Sequence, residues 1–496
     1  MIAIARWPTA DTRADRDPNP QIQTSRVTDD VQLGATPGLA SRLHWSQFLS
    51  IGLGAIMGVA WAIVLGDWLS RAAPLGAVLG FVLGGACMVP AAMCYAELAT
   101  ALPQAGGDVV YVRVAFGSRA AFLVGWFLVL MAVAVTSFEA ISLAWFLNQL
   151  APGHQGRVLY SFFGEDIESG ALAIGAGVTI LIAFVNWVGA HASGRFQEIF
   201  TYLKIAAILV FVAAAVYAGS TAHLLPLLTP TGGRPVTYGV LWIAATGAFL
   251  YAGFQVIPQA VEERAPGTTL RTVGVMTVLA VVLGTLFYCA VVIASCLAMP
   301  WRQLVSAPLP AAAAIGAVVG NRYLAQAILA CVVLGILATW NSAFLWGSRL
   351  LYALGRDGAV PALFGRAGRN HTPTAAIILV ASLGLLGVFL GRGALIPIVN
   401  TASISLTFSY ALACGAALRL RRQRPELDRP YRVPGGERTM WLGMALTGAM
   451  AIVALLDPLT YRQGVPLEWR LLAGWALLGV LFQWRRRQRA RAQRTV

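Results

Sequence analysis

The chain contains 496 residues, of which 58% are hydrophobic and 11% are charged. Soluble domains carry roughly 25% charged residues, so this composition excludes a sizeable soluble domain and indicates a polytopic membrane protein. The net charge of +15 would by itself also suit a nucleic-acid-binding protein.

Twelve apolar segments follow one another along the chain, each close to or above the length needed to cross a bilayer. We number them segments 1 to 12, and they cover residues 45–69, 75–101, 120–150, 170–190, 197–219, 237–261, 272–299, 322–354, 374–391, 394–418, 440–456 and 470–484. Residues 1–42 are polar and charged, which predicts a disordered cytoplasmic tail and no cleavable signal peptide. The sequence therefore predicts an all-α integral membrane protein with twelve transmembrane helices.

The basic residues predict how these segments are oriented. If both termini lie in the cytoplasm, only eight of the 36 Lys and Arg residues fall outside, namely Arg71, Arg157, Arg234, Arg302, Arg322, Arg392, Arg462 and Arg470. Because Lys and Arg are enriched in cytoplasmic loops, this asymmetry predicts a multi-pass protein of the cell membrane with both termini in the cytoplasm. Residues 485–496 are then interpreted as a basic cytoplasmic tail that contacts membrane lipids, and no nucleic-acid partner is expected.

Segment 1 contains three glycines, Gly52, Gly54 and Gly58, which are poor helix residues. The first interpretation is close packing of helices through small residues. The second is an interruption of the helix whose unwound backbone faces a ligand, since irregular backbone at membrane depth must be buried in protein or line a cavity. Under the second interpretation Gly58 is expected to need a missing Cβ, whereas Gly80 in segment 2 would be a packing glycine.

Segment 6 contains a second stretch interrupted by glycine, from Gly247 to Phe254. Two such segments at corresponding places in two halves of a chain are typical of transporters built from inverted repeats, whose substrate site lies at the interruptions. This pairing favours an interruption of segment 1 over packing alone.

Segment 3 places Glu139 near its middle. An ionisable side chain at the bilayer centre costs about 2.5–3.5 kcal/mol on insertion scales, so it is expected to face the bundle interior or a water-filled cavity. Two interpretations remain open for Glu139: a structural hydrogen bond to a neighbouring helix, and a role in binding substrate or protons.

Segment 5 contains Lys204, the only lysine of the chain. Its position less than two turns into the helix fits a side chain that extends to the membrane surface while its stem stays in the apolar layer.

The residue types that serve catalysis and metal binding are scattered. No loop offers a nucleophile beside a base, and the six cysteines fall inside apolar segments without the spacing of metal ligands. The sequence therefore predicts no enzyme activity, no metal site and no cofactor.

Two stretches resemble signatures of the amino acid, polyamine and organocation (APC) transporters. The first covers residues 95–117 and begins Tyr-Ala-Glu-Leu, with Asp108 where the family usually has Glu. The second covers residues 249–255 and is similar to the family's unwound segment Phe-Ala-Tyr-x-Gly-Phe-Asp, with Gln255 in place of the acid.

Residues 340–373 and 421–435 are also similar to the family, so the resemblance covers about residues 45–435. Segment 1 departs from the pattern. Members usually have Gly, Ser or Thr, and Gly at this point, whereas this chain reads Gly-Val-Ala at 58–60.

The resemblance implies two inverted five-helix repeats, over residues 45–219 and 237–418, with segments 1 and 6 as broken helices. Two further helices over residues 440–484 follow. It implies a secondary active transporter that moves an amino acid by alternating access, coupled to protons. The alternatives are a permease or exchanger for a polyamine, ethanolamine or similar small amine, and an amino acid sensor that does not transport.

The resemblance also implies a substrate site between the broken segments. Backbone amides near Gly58 would face a carboxylate, carbonyls of segment 6 would face the amine, and Phe249 or Tyr251 would close over the substrate. The expected substrate-binding residues are Met57, Gly58, Val59, Ala60, Glu139, Phe249, Tyr251, Ala252, Gly253 and Asn341. Lys204 is similar to a lysine that stands near the sodium position of sodium-coupled relatives, which implies a coupling role.

Overall fold

A computed structural model describes residues 43–104, 106–150, 156–162, 165–188, 193–230, 234–368, 372–460 and 464–492. The tail predicted over residues 1–42 lies outside the described residues. The described chain is mostly helical and contains nine helical stretches long and apolar enough to cross a membrane. The prediction of a multi-pass helical membrane protein is confirmed.

We number the helices in chain order. They are α1 Trp45–Ile56, α2 Ala60–Ala101, α3 Asp108–Phe116, α4 Ser118–Leu150, α5 Ser169–Val188, α6 Ser193–Ala218, α7 Val236–Thr246, α8 Val256–Gln259, α9 Leu270–Ala298, α10 Trp301–Ser306, α11 Pro310–Val318, α12 Arg322–Arg356, α13 Thr374–Val388, α14 Leu395–Gln423, α15 Glu437–Leu456 and α16 Leu467–Ala492. Segments 1 and 6 are each divided between two helices. Segment 12 continues past its predicted end at residue 484, since α16 ends at Ala492.

α2 combines the second half of segment 1 with all of segment 2. A straight helix of its 42 residues would be about 63 Å long, roughly twice the thickness of the hydrocarbon core. The helix is interrupted at Ala73, whose φ of 54° and ψ of 176° are not helical. Pro74 follows directly, and a proline disfavours helical backbone at the residue before it. The chain therefore turns at Ala73.

A two-stranded antiparallel sheet, which the sequence analysis did not predict, connects α4 to α5. It pairs β1 Val158–Phe162 with β2 Glu165–Glu168. The Tyr160 hydroxyl donates to the Phe389 carbonyl at 2.6 Å, and the buried Ile167 side chain packs against Gly391. These contacts fix the sheet to the end of α13.

The helices differ in how much of their surface the protein itself covers. α4 and α14 are buried along most of their length, whereas α5 and α6 leave large apolar side chains such as Leu209 and Val216 exposed. Lipid tails are as apolar as these side chains, so an exposed apolar face on a membrane helix is typical of lipid contact. α4 and α14 therefore form the centre of the bundle, and α5 and α6 lie towards its periphery.

Glu97, from the stretch that resembles the family signature, connects α2 to α14. Its carboxylate accepts hydrogen bonds from Arg421 and from the Val433 amide, the latter at 2.7 Å, and Arg429 Nε lies 3.3 Å away. Glu97 is buried, and a buried carboxylate is tolerated only when such partners compensate it. This signature residue therefore has a structural role.

The chain before α1 and the chain after α8 are joined at one end of the bundle. Leu43 donates its amide to the Glu263 carbonyl at 2.8 Å, and the Ala265 amide donates to the Leu43 carbonyl at 2.9 Å. These two backbone hydrogen bonds hold the beginning of α1 close to the segment that follows α8.

Candidate functional site

The first interruption lies between α1 and α2. Helical geometry ends at Ile56, Met57 has a φ of −76° and a ψ of 48°, and α2 begins at Ala60 after Val59. The first amides of a helix have no preceding turn to pair with, so the start of α2 presents donors at the interruption. An anionic group such as a carboxylate is favoured at this position.

The three glycines of segment 1 divide between the two interpretations. A Cβ on Gly52 would lie 2.6 Å from Ile257 Cδ1, and one on Gly54 would lie 2.5 Å from Thr201 Oγ1. Both are packing glycines. Gly58 lies in the interruption, where the nearest atom to a Cβ would be the Ala55 carbonyl oxygen at 3.9 Å. The protein itself therefore leaves room for a side chain at Gly58, and any need for glycine there would come from a substrate.

The second interruption lies between α7 and α8. A 3₁₀ helix, Gly247–Tyr251, follows α7, and a turn over residues 252–255 leads into α8. Gly253 in this turn has a φ of 153°, which an L side chain rarely adopts. The Gln255 side chain supports the turn, because its Oε1 accepts from the Gly253 amide at 2.9 Å and from the Tyr410 hydroxyl at 3.0 Å.

The two interruptions meet at Gly253. A Cβ on this glycine would lie 2.8 Å from Ala55 Cβ, 2.8 Å from the Ile56 amide nitrogen and 2.9 Å from the Gly52 carbonyl oxygen. Gly253 is one of the residues expected in the site from the sequence. Its structural contribution is the missing side chain, which allows the turn to approach the end of α1.

Tyr288 of α9 bridges both interruptions and was missed by the sequence analysis. Its hydroxyl donates to the Ile56 carbonyl at 2.7 Å and lies 3.4 Å from the Leu250 carbonyl. Ile56 is the last residue of α1, and Leu250 belongs to the 3₁₀ helix. The sequence signal for this residue is a tyrosine in the middle of segment 7, away from the membrane interfaces where tyrosine is enriched.

Lys204 reaches the first interruption from α6. Its Nζ donates to the Gly54 carbonyl at 3.1 Å, and its side chain is buried. Gly335 of α12 leaves room for the stem, because a Cβ there would lie 2.7 Å from Lys204 Cδ. Lys204 therefore lies between α6, α1 and α12 and does not extend to the membrane surface in this conformation.

Glu139 of α4 is the electrostatic partner of Lys204. Glu139 is buried, and its Oε2 has no hydrogen-bond partner among the described residues. Tyr288 also lies close enough to Glu139 to interact with it electrostatically. We call Glu139, Lys204 and Tyr288 the central polar cluster. It combines one acid, one base and one hydroxyl beside the point where the two interruptions meet.

Phe249 and Tyr251, the two aromatic residues expected to cover a substrate, lie on different sides of the 3₁₀ helix. The Phe249 ring packs edge-to-face against Phe138, at 5.5 Å between centroids, next to Glu139 in sequence. The Tyr251 hydroxyl instead donates to the Phe81 carbonyl of α2 at 2.9 Å. Of the two alternatives, Phe249 is therefore the one that lies on the side of the central polar cluster.

Asn341 was expected in the far wall of the site. Its Oδ1 accepts a hydrogen bond from Asn186 Nδ2 of α5 at 2.9 Å, so this amide connects α12 to α5. The preceding Trp340 is fully buried, and its indole nitrogen has no acceptor among the described residues.

The space beside the second interruption is narrow. A cavity of about 10 Å³ lies beside the 3₁₀ helix, and its lining includes Trp68, Trp242, Gly247 and Leu250. Ligand pockets are typically about 300–1,000 Å³. An amino acid can occupy this cavity only when the surrounding helices separate.

Asp108, at the start of α3, connects the loop after α2 to α8. It accepts hydrogen bonds from the Tyr95 hydroxyl and from Gln259 Nε2, the latter at 3.4 Å. Gly107 permits this approach, because a Cβ there would lie 2.7 Å from Gln259 Cγ. Burial raises the pKa of Asp108 to about 6.

Two interrupted apolar helices that meet inside a multi-pass bundle are typical of secondary transporters. The chain belongs to the amino acid permease family, whose model matches residues 43–482. The resemblance identified in the sequence is thereby confirmed.

Individual relatives agree with this assignment. The chain is 27% identical to the methylthioribose transporter of Bacillus subtilis, over 80% of this chain and 84% of the relative. It is 26% identical to the branched-chain amino acid permease BcaP of Lactococcus lactis, over 79% of this chain and 86% of the relative. It is 22% identical to the aspartate-proton symporter of Bacillus subtilis, over 87% of both chains.

Proposed function

We propose that this chain is a secondary active transporter that moves a neutral amino acid across the cytoplasmic membrane by alternating access, coupled to protons. The observation that carries the proposal is the meeting of the two interruptions at Gly253, beside the buried Lys204 and Glu139. The family supports amino acid transport, and one relative is named as a proton symporter.

The proposed architecture has twelve membrane-crossing helices. α2 supplies two of them because it turns at Ala73, and α1 completes the first. α13 and α16 supply the ninth and twelfth. The repeats cover residues 45–219 and 237–418, and the termini lie in the cytoplasm, in agreement with the distribution of arginine.

The substrate would be held chiefly by backbone groups. Amides at the start of α2 would donate to its carboxylate, carbonyls of the 3₁₀ helix would accept from its amine, and Phe249 would cover its side chain. Val59 and Ala60 contribute no polar side chain here. Since Glu139 and Lys204 compensate one another, a substrate without side-chain charge leaves this balance undisturbed.

Lys204 is the proposed coupling residue. As an ammonium it holds α1 to α6 and α12 through the Gly54 carbonyl, and it repels a sodium ion from the same position. Loss of its proton weakens this hydrogen bond, because a neutral amine is a poorer donor to a carbonyl than an ammonium is. Opening of α1 is thereby linked to protonation of Lys204.

A small amine is the second candidate substrate, and the unpartnered Oε2 of Glu139 favours it. An amine could bind this carboxylate directly. In that case Glu139→Gln abolishes transport of the amine, whereas a neutral amino acid held by backbone groups retains measurable affinity for the variant.

Counterflow in proteoliposomes tests the proposal. Vesicles containing purified protein are loaded with unlabelled leucine, aspartate or putrescine, and entry of labelled leucine is measured. We expect leucine inside the vesicles to drive counterflow and putrescine not to do so. Counterflow driven by putrescine would favour the amine candidate. Binding of leucine without any counterflow would show a sensor.

A further inference from the structure

A second cavity, of about 190 Å³, lies away from the interruptions, at the end of the bundle that carries Arg113 and Arg486. Three separate parts of the chain form it. Arg113 and Ser118 come from the junction of α3 and α4, Asp357 follows the end of α12, and Arg486 lies in the last turns of α16. Phe122 also lines it. The cavity thus combines polar groups with an apolar wall.

The lining carries more positive than negative charge. Arg113 forms an ion pair with Asp357 through both terminal nitrogens of its guanidinium. Its Nε is buried and has no acceptor among the described residues. Arg486 makes no ion pair within the described part of the chain. One guanidinium is therefore uncompensated, and the other retains an unused donor.

The helix that carries Arg486 is packed against α4. Trp126 of α4 and Trp475 of α16 stack at 4.3 Å, and each indole nitrogen donates to the other residue's carbonyl at 2.8 Å. Arg486 follows Trp475 by three helical turns and lies on the same face of α16, so this packing anchors the helix that carries it beside the cavity.

We propose that this cavity binds a phosphate-bearing anion. Arginine is the side chain best suited to phosphate, because its planar donors match two oxygens at once. Ser118 adds a hydroxyl donor, and Phe122 supplies a surface for the first carbons attached to a phosphodiester. The anion is the headgroup of an acidic phospholipid or soluble phosphate, and the site is separate from transport of the substrate.

Adjacent arginines provide a matched test. Arg486→Gln and Arg485→Gln remove the same charge from the same turn of α16, but Arg485 is exposed and does not line the cavity. Purified full-length protein is titrated with phosphatidylglycerol in mixed micelles, with phosphatidylcholine as the neutral lipid, and binding is followed by native mass spectrometry and thermal unfolding. The titration is made at high salt, because salt suppresses diffuse attraction between exposed charges.

We expect Arg486→Gln to bind phosphatidylglycerol about tenfold more weakly than Arg485→Gln, the loss of one hydrogen bond to a charged group. The proposal would be overturned if Arg486→Gln and Arg485→Gln bound phosphatidylglycerol equally well and were stabilised equally by inorganic phosphate, or if neither ligand stabilised the unmodified protein. Stabilisation by inorganic phosphate alone, lost in Arg486→Gln, would support the site and identify the soluble anion as its occupant.

Ser118→Leu gives a second test that changes no charge. The larger side chain fills part of the cavity, so we expect it to weaken phosphatidylglycerol binding as Arg486→Gln does. Unchanged binding in Ser118→Leu would exclude this cavity as the site.

Discussion

The contact between the two interruptions predicts that Gly253→Ala disrupts the site. The added Cβ would approach Ala55 Cβ and the Ile56 amide to 2.8 Å, and the Gly52 carbonyl to 2.9 Å, whereas favourable separations are about 3.5–4.0 Å. Two of these three neighbours are backbone atoms, which cannot rotate away. The whole end of α1 must move instead.

The cost follows from two contributions. Overpacking of this kind costs about 1–3 kcal/mol, and an L side chain at the Gly253 φ of 153° adds about 1–3 kcal/mol of backbone strain. We therefore expect Gly253→Ala to lose about 2–6 kcal/mol of folding free energy, or to avoid this loss by displacing α1 and so losing substrate affinity.

Thermal unfolding in detergent and leucine counterflow measure these two outcomes. Gly247→Ala is the matched control for stability, because it lies in the same broken segment and a Cβ there meets no atom within 4 Å. If Gly253→Ala unfolded at the same temperature as Gly247→Ala and transported leucine normally, the close approach of α1 to this turn would be refuted.

Three further predictions concern the site and its surroundings. Gly58→Leu should abolish leucine binding without lowering the unfolding temperature. Gly80→Leu should lower that temperature, because a Cβ on Gly80 would lie 2.7 Å from Ile243 Cβ. Identical behaviour of the two variants would argue against a substrate at the first interruption. Lys204→Ala should retain leucine binding measured in detergent but lose concentrative uptake, and Lys204→Arg should also be impaired because Lys204 is buried; normal uptake by both would remove the coupling role. Asp108 has a pKa raised to about 6, so its contribution to stability is fully present below about pH 4 and is lost as pH rises through 6. Asp108→Asn should therefore show a smaller fall in unfolding temperature between pH 5 and pH 7 than the unmodified protein. An equal fall in both proteins would exclude Asp108 as the origin of this pH dependence.

The sequence was sufficient to predict the class of fold because composition and segment length are local properties. The interruptions could also be anticipated, because glycines at matching places in two apolar segments are typical of the broken helices of inverted repeats. The sequence did not show which of these glycines lie at helix contacts and which lies in the interruption. Gly52 and Gly54 contact Ile257 and Thr201, residues about 150 to 200 positions away in the chain.

The directions of the side chains in the second interruption could not be predicted from the sequence either. Phe249 and Tyr251 are two residues apart, and in a 3₁₀ helix with three residues per turn such side chains point about 120° apart. The two side chains therefore cannot both face one substrate, and the sequence left open whether Phe249 or Tyr251 does. The answer depends on Phe138 of α4 and on the Phe81 carbonyl of α2.

Partners of single polar residues required the three-dimensional structure. The sequence singles out Glu139 and Lys204 as ionisable residues in apolar segments, but it carries no signature of the electrostatic interaction between them across α4 and α6. The bond between Asn186 and Asn341 is similar, because an asparagine in a membrane helix carries no indication of which neighbour it will meet.

The most direct test of the account is uptake of labelled leucine into proteoliposomes under imposed ion gradients. We expect leucine to accumulate above its external concentration when the outside is acidic and sodium is absent on both sides, and this accumulation to vanish when a protonophore collapses the gradient. Accumulation that requires an inward sodium gradient and ignores the proton gradient would contradict the proposed coupling through Lys204.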